Sequence, residues 1–137
     1  MRRFALILAF AFPLFAVSIV DHWFMAVETT KGMRALQTAV EAYNIDHKSY
    51  PKAATIDELQ GLIEPIYIRT TPRVDAWGTP FDYTVSADGK SYTIASAGSD
   101  KVFDRGSWTG KALLTSSKDD QVYGAVDREW VIQHTCE

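Results

Sequence analysis

An apolar segment opens the chain and passes into an amphipathic one. After Arg2 and Arg3, residues 4–20 carry no charge, and apolar residues resume at 23–27. A bilayer core is spanned by about 20 apolar residues, and basic residues before such a run tend to stay in the cytoplasm. We therefore expect an uncut membrane anchor that leads to an exported domain. Residues 16–18 offer a small-x-small motif, so a cleaved secretory signal is the alternative.

The next segment has the spacing of an amphipathic helix. Apolar side chains recur at Met33, Leu36, Val40 and Tyr43, with polar residues between them. This spacing predicts one buried helical face. No strong helix breaker separates the segment from the apolar run, so we expect one continuous helix over residues 4–46, roughly 60 Å long.

The rest of the chain predicts a small α+β head. Pro51 ends the long helix, because proline disfavours helical geometry in the residue before it. Thr55 and Glu58 fit a capping box that starts a two-turn helix, with Leu59, Leu62 and Ile63 as its buried face. Alternating apolar and polar residues then predict two hairpins. These pair residues 81–85 with 91–96, and residues 121–123 with 129–132.

A stretch without periodicity, residues 97–120, separates the predicted hairpins. Segments of this length are costly to order inside a small domain and are usually functional. Its many oxygen-bearing side chains suggest calcium, which takes about six to eight oxygen ligands. On residue types alone, solvated acidic residues in a mobile loop are the favoured alternative, and pairing of these carboxylates with nearby basic residues is another. The oxygen-bearing residues are Ser96, Ser99, Asp100, Asp104, Ser116, Ser117, Asp119 and Asp120.

Composition and charge exclude several classes of protein. With 137 residues, 47% of them hydrophobic and 23% charged, the chain is one ordinary domain and not a disordered tail. Its 14 basic and 17 acidic residues give a net charge of −3, which offers no field for binding nucleic acid phosphates. The single cysteine, Cys136, cannot form an intrachain disulfide. Hydrolase, metalloprotease and phosphate-loop motifs are missing, so we expect a structural protein and not an enzyme.

Two strings of residues in the head resemble a known family. Residues 75–83 read Asp-x-Trp-Gly-x-Pro-aromatic-x-Tyr, and residues 96–100 read Ser-x-Gly-x-Asp. They follow a long helix that contains residues 36–43 and ends near Tyr50-Pro51. In these features the chain resembles the major pseudopilins of type II secretion systems, the GspG-like branch of the type IV pilin superfamily. The resemblance covers residues 33–104.

The resemblance implies a fold, a function and a location. The implied fold is pilin-like: residues 1–27 form a hydrophobic helix segment for the membrane or the filament core, and residues 28–137 form the head. The implied function is that of a structural subunit of a pilus-like or pseudopilus filament linked to type II secretion. Its partners would be copies of itself, other pseudopilins and the membrane. The head would face the periplasm from the inner membrane, or belong to an extracellular filament.

The resemblance also implies site residues. The calcium ligands carried over from the family are Asp100, Asp119 and Asp120. The filament-core face of the helix would consist of Phe4, Leu6, Leu8, Phe12, Leu14, Val17 and Val20. The structural turns would depend on Tyr50, Pro51, Trp77, Gly78 and Pro80.

The N-terminal segment departs from the family pattern. Family members carry a Gly-Phe-Thr-Leu-like processing site and a glutamate at the fifth mature position, whereas the first acidic residue here is Asp21. One expectation is therefore assembly by helix packing alone. The alternative is a monomeric, membrane-tethered binding module whose head, with Trp108 and Trp130, recognises a protein or a glycan.

Overall fold

A long helix, a short helix and an antiparallel sheet make up the described part of the molecule. The computed structural model describes residues 11–103, 108–109, 112–113, 121–126 and 129–134, and the side chains of residues 20–103 and 121–125. The helices are α1 (Ala11–His47) and α2 (Ile56–Ile63). The strands are β1 (Asp82–Val85), β2 (Tyr92–Ser96), β3 (Trp108–Thr109), β4 (Ala112–Leu113), β5 (Gln121–Val126) and β6 (Glu129–His134). This is the α+β, pilin-like class that the sequence predicts.

Helix α1 is continuous from Ala11 to His47, and the first part of the predicted helix, residues 4–10, lies outside the described residues. The predicted stripe is buried, since Met33, Leu36 and Val40 are fully inaccessible to solvent. Gly32 leaves room for the ring of Phe81, whose nearest atom would lie 3.4 Å from a Cβ at that position. The C-terminal half of α1 therefore packs closely on the head.

Helix α2 begins as predicted but buries a different face. The Thr55 hydroxyl accepts a hydrogen bond from the Glu58 backbone N–H at 3.2 Å, as an N-cap does. The Glu58 carboxylate accepts from the N–H of Ala54 at 2.8 Å, one residue earlier than in a capping box. The buried side chains are Ile56, Leu59 and Ile63. The prediction that Leu62 is buried is wrong, because Ile56 takes its place on the inward face and leaves Leu62 39% exposed.

The sheet has the strand order β1-β2-β5-β6, with antiparallel pairing throughout. Both predicted hairpins form, and they are joined by the pairing of β2 with β5. In that pairing Ser96 lies opposite Gln121, so residues 97–120 leave the sheet and return to it at the same place. This segment, called the loop below, contains the two-residue strands β3 and β4, which are too short to produce a sequence pattern.

Candidate functional site

The turn at residues 75–80 is organised by one carboxylate. Asp75 Oδ1 accepts hydrogen bonds from the backbone N–H groups of Trp77 at 3.0 Å and Thr79 at 2.8 Å. An aspartate that opens a turn commonly binds the backbone two residues on. Gly78 follows with φ at +83°, a left-handed conformation that glycine adopts without steric cost. The turn thus aligns Phe81, which is 3% exposed, for burial just before β1.

The same carboxylate links the turn to the start of the loop. Asp75 is 4% exposed, and its Oδ2 accepts a hydrogen bond from the Ser96 hydroxyl at 2.7 Å. Ser96 Oγ in turn accepts from the backbone N–H of Gly98 at 3.1 Å. The two residue strings that carry the family resemblance are therefore one buried hydrogen-bonded network. From the sequence alone Asp75 has no predicted role, and Ser96 is predicted only as one of the oxygen-bearing residues that suggest calcium.

Tyr50 and Pro51 attach the end of α1 to the sheet. The backbone N–H of Tyr50 donates to the Gly89 carbonyl at 2.9 Å, and its ring centroid lies 4.5 Å from that of Tyr92. The Pro51 carbonyl accepts a buried hydrogen bond from the Tyr83 hydroxyl at 2.8 Å. These contacts fix the chain direction where the helix gives way to the head. Pro80, the last residue in the group of predicted turn residues, pairs with Val74 in an isolated bridge.

A cluster of tyrosines surrounds Glu41 beneath α1. Burial is the main cause that raises the pKa of Tyr92 well above its usual range, and the nearby Glu41 carboxylate adds to it. Burial likewise raises the pKa of Tyr83. Glu41 Oε1 and the Tyr92 hydroxyl are both buried and make no hydrogen bond of regular geometry among the described residues. The cluster is part of the packing between α1 and the sheet.

The predicted calcium ligands are divided between described and undescribed residues. Asp100 lies at the exposed start of the loop, and its Oδ1 accepts a hydrogen bond from the Val102 N–H at 2.8 Å. Asp119 and Asp120 lie outside the described residues. Within the described residues, no three His, Cys, Asp or Glu side chains are grouped closely enough to hold a metal ion. The calcium site therefore stays a prediction.

The N-terminal part of α1 presents apolar side chains to solvent. Val20 is 67% exposed, Trp23 72% and Phe24 62%. The ring of the adjacent His22 faces the head, with its centroid 5.7 Å from that of Trp77. In the portion of the chain that the structure covers, no helix combines the length and the apolar character needed to cross a membrane.

The other predicted filament-core residues fall into two groups. Phe12, Leu14 and Val17 belong to the backbone of α1, but their side chains are not described. Phe4, Leu6 and Leu8 lie outside the described residues. The tryptophans of the alternative binding module, Trp108 and Trp130, belong to β3 and β6, where side chains are not described either.

Comparison with known families assigns the chain. The family described as type II secretion system (T2SS), protein G, matches residues 24–107, which is more than half of the chain. Comparisons with curated proteins and with solved structures gave no match. The matched range includes the buried half of α1, the turn at 75–80 and the start of the loop, which are the parts joined by the contacts described above. The chain belongs to the type II secretion system protein G family, the major pseudopilins.

Proposed function

We propose that this pseudopilin is a non-enzymatic structural subunit that assembles into a filament through α1. Before assembly the N-terminal segment anchors it in the inner membrane with the head in the periplasm, and a calcium ion stabilises the loop. Its partners are copies of itself and other pseudopilins of the secretion system. The observation that carries the proposal is the uncovered apolar surface at the N-terminal end of α1.

Two parts of α1 differ in what covers them. Further along the helix, Met33 and Leu36 are fully buried under the head. Near its N-terminal end, Val20, Trp23 and Phe24 have the spacing of one helical face and are each more than 60% exposed. Contiguous apolar surface of this kind marks an interaction site. This apolar surface is complementary both to the same helix of a second copy and, before assembly, to lipid. In the proposed filament, the helix of a second copy covers it.

The assembly proposal predicts that Trp23→Asp abolishes filaments. A carboxylate inside an apolar helix bundle costs about 2.5–3.5 kcal/mol in each subunit, and the cost recurs at every contact along the filament. The monomer should keep its thermal stability to within about 0.5 kcal/mol, because the position is exposed in the monomer. The measurement is electron microscopy of sheared filaments from cells that carry the rest of the secretion system, with crosslinking to detect dimers.

Ile66→Asp provides the matched control. Ile66 is 78% exposed on the head, so the change adds the same charge to an apolar surface residue outside the exposed face formed by Val20, Trp23 and Phe24. This variant should assemble like the wild type. Filaments of Trp23→Asp at the wild-type level would contradict the proposal. Wild-type material found only as monomers in lipid would do the same, and would favour the membrane-tethered binding module.

The position of the loop ends supports a calcium site. Ser96 and Gln121 are cross-strand partners, so the chain enters and leaves the loop side by side. Asp100 follows Ser96 by four residues, and Asp119 and Asp120 come directly before Gln121. Carboxylates from both ends are therefore close along the chain to one point of the sheet. Calcium bound by these hard oxygen ligands would join the two ends of the loop.

The calcium proposal predicts a stability loss on chelation. An ion at about 100 times its Kd stabilises the folded state by ~2.7 kcal/mol, so chelator should lower the free energy of unfolding by about that amount. Asp100→Ala should destabilise the protein more in calcium than in chelator, where the variant loses only contacts such as the hydrogen bond from the Val102 N–H. Asp88→Ala, which removes a carboxylate from the β1–β2 turn, should cost the same in both conditions. Thermal melts measure these differences, and a wild-type melt that chelator leaves unchanged would remove the site.

A further inference from the structure

The two ends of the loop are marked by buried polar side chains. Ser96 and Gln121 face each other across β2 and β5, and they are 0% and 4% exposed. Polar groups at such positions are stable only when their hydrogen bonds are satisfied within the protein. Their partners show what holds each end of the loop in place.

The entry of the loop is connected to α1 through the turn at residues 75–80. Ser96 donates to Asp75, as described above, and the next backbone N–H, that of Ala76, donates to Thr29 Oγ1 at 3.0 Å. Thr29 is 1% exposed. It lies one helical turn before Met33, on the buried stripe of α1. An apolar side chain would be enough there if packing were the only requirement. The threonine at this position therefore serves the hydrogen bond.

The exit of the loop is connected to the next residue of the same helix. The Thr30 hydroxyl lies 3.0 Å from Gln121 Oε1 and 2.9 Å from the Ala26 carbonyl oxygen. The Gln121 side-chain amide also donates to the Ala26 carbonyl at 3.4 Å. Adjacent threonines of α1 thus reach the two ends of the loop, one through Asp75 and one directly.

We propose that Thr29 and Gln121 are positioning residues that couple the loop to α1. The packing of helix residues 26–30 fixes the loop ends in the geometry that binds the ion, and the bound ion in turn tightens this part of the helix against the head. The second half of the proposal rests on the calcium site proposed above. Coupling between two sites is reciprocal, so a variant that weakens the contact of the helix with the loop ends must also weaken ion binding.

Hydrogen exchange of the calcium-free full chain in detergent tests the coupling itself. Thr29→Val keeps the shape of the side chain and leaves the Ala76 N–H without its acceptor. The measured quantity is the ratio of the exchange rate of the Gly98 amide, at the loop entry, to that of the Ile94 amide, in β2 of the sheet. This exchange ratio should rise about fivefold. Thr38→Val is the control, because it makes the same substitution on α1 but removes only an exposed hydrogen bond to the Arg34 carbonyl. It should leave the ratio unchanged, and an unchanged ratio in Thr29→Val overturns the coupling.

Calcium titration of the same proteins tests whether the coupling between α1 and the loop affects ion binding. Thr29→Val should raise the Kd for calcium about fivefold or more, within the usual range of allosteric couplings, whereas Thr38→Val should stay within about twofold of the wild type. If the wild-type protein binds no calcium but the exchange ratio still rises in Thr29→Val, the calcium site is rejected and the coupling is supported. Calcium binding that is equally tight in Thr29→Val rejects the transmission of the coupling to the ion and leaves the calcium site intact.

Discussion

Gly124→Ala is expected to lower the free energy of unfolding by about 3 kcal/mol or more. Gly124 lies on β5 opposite Thr93 of β2. A Cβ at this position would come within 2.3 Å of the Tyr92 carbonyl oxygen and 3.2 Å of the Thr93 Cα. These are backbone atoms of a paired strand, so they cannot move away without disturbing the ladder. Overpacking usually costs about 1–3 kcal/mol, and a clash with backbone places this variant at or above the top of that range.

Gly61→Ala is the matched control for this substitution. Gly61 lies in α2, and a Cβ there would meet nothing within 4 Å. Alanine is favoured over glycine inside a helix by about 0.5–1 kcal/mol, so this variant should be more stable than the wild type. Chemical denaturation of both variants measures the difference. If Gly124→Ala unfolds within about 1 kcal/mol of the wild type, the register of β2 on β5 is not as described.

The sequence predicts most elements of the fold because their patterns are local. The stripe at Met33, Leu36 and Val40 marks the buried face of α1, and Thr55 marks the start of α2. The hairpins follow from alternation around short turns. The pairing of β2 with β5 is a different matter, since 24 residues separate Ser96 from Gln121 and no local pattern specifies which strands meet.

The candidate site was less accessible from sequence for the same reason. The residue strings at 75–83 and 96–100 indicate the family, but only the fold shows that Asp75 and Ser96 share a hydrogen bond. One signal was available, because Thr29 continues the stripe of α1 with a polar residue. A buried polar residue in an apolar stripe predicts a hydrogen-bonded partner, although it does not say that Ala76 supplies it.

The network around Asp75 also explains why the turn and the loop start occur together in this family pattern. A buried carboxylate is costly unless its oxygens accept hydrogen bonds. The backbone of the turn supplies two donors to Oδ1, and Ser96 supplies one to Oδ2. Either string without the other would leave part of this carboxylate unsatisfied in the protein interior. The pair of strings is therefore a physical unit as well as a sequence marker.

Stability is expected to fall steeply above pH 10, because several buried tyrosines must stay protonated in the folded state. Burial raises the pKa of Tyr83 and Tyr92 well above the value of about 10 that tyrosine has in an unfolded chain. Below pH 10 both states keep these protons and the tyrosines add no pH dependence. Above it the unfolded state releases them first, so the folded state loses about 1.4 kcal/mol per pH unit for each tyrosine. These two alone contribute a slope of about 2.7 kcal/mol per pH unit, and Tyr50, whose pKa is also raised by burial, adds to it.

Two substitutions separate this effect from other alkaline titrations. Tyr83→Phe and Tyr92→Phe should each reduce the slope above pH 10 by about 1.4 kcal/mol per pH unit. At pH 7 they should differ: Tyr83→Phe loses the hydrogen bond to the Pro51 carbonyl and about 1 kcal/mol. Tyr92→Phe should cost less than Tyr83→Phe, since its buried hydroxyl makes no hydrogen bond of regular geometry and only lies near the Glu41 carboxylate. Denaturant unfolding at several pH values measures both, and a slope that Tyr92→Phe leaves unchanged would show that this hydroxyl ionises as freely in the folded state as in the unfolded chain.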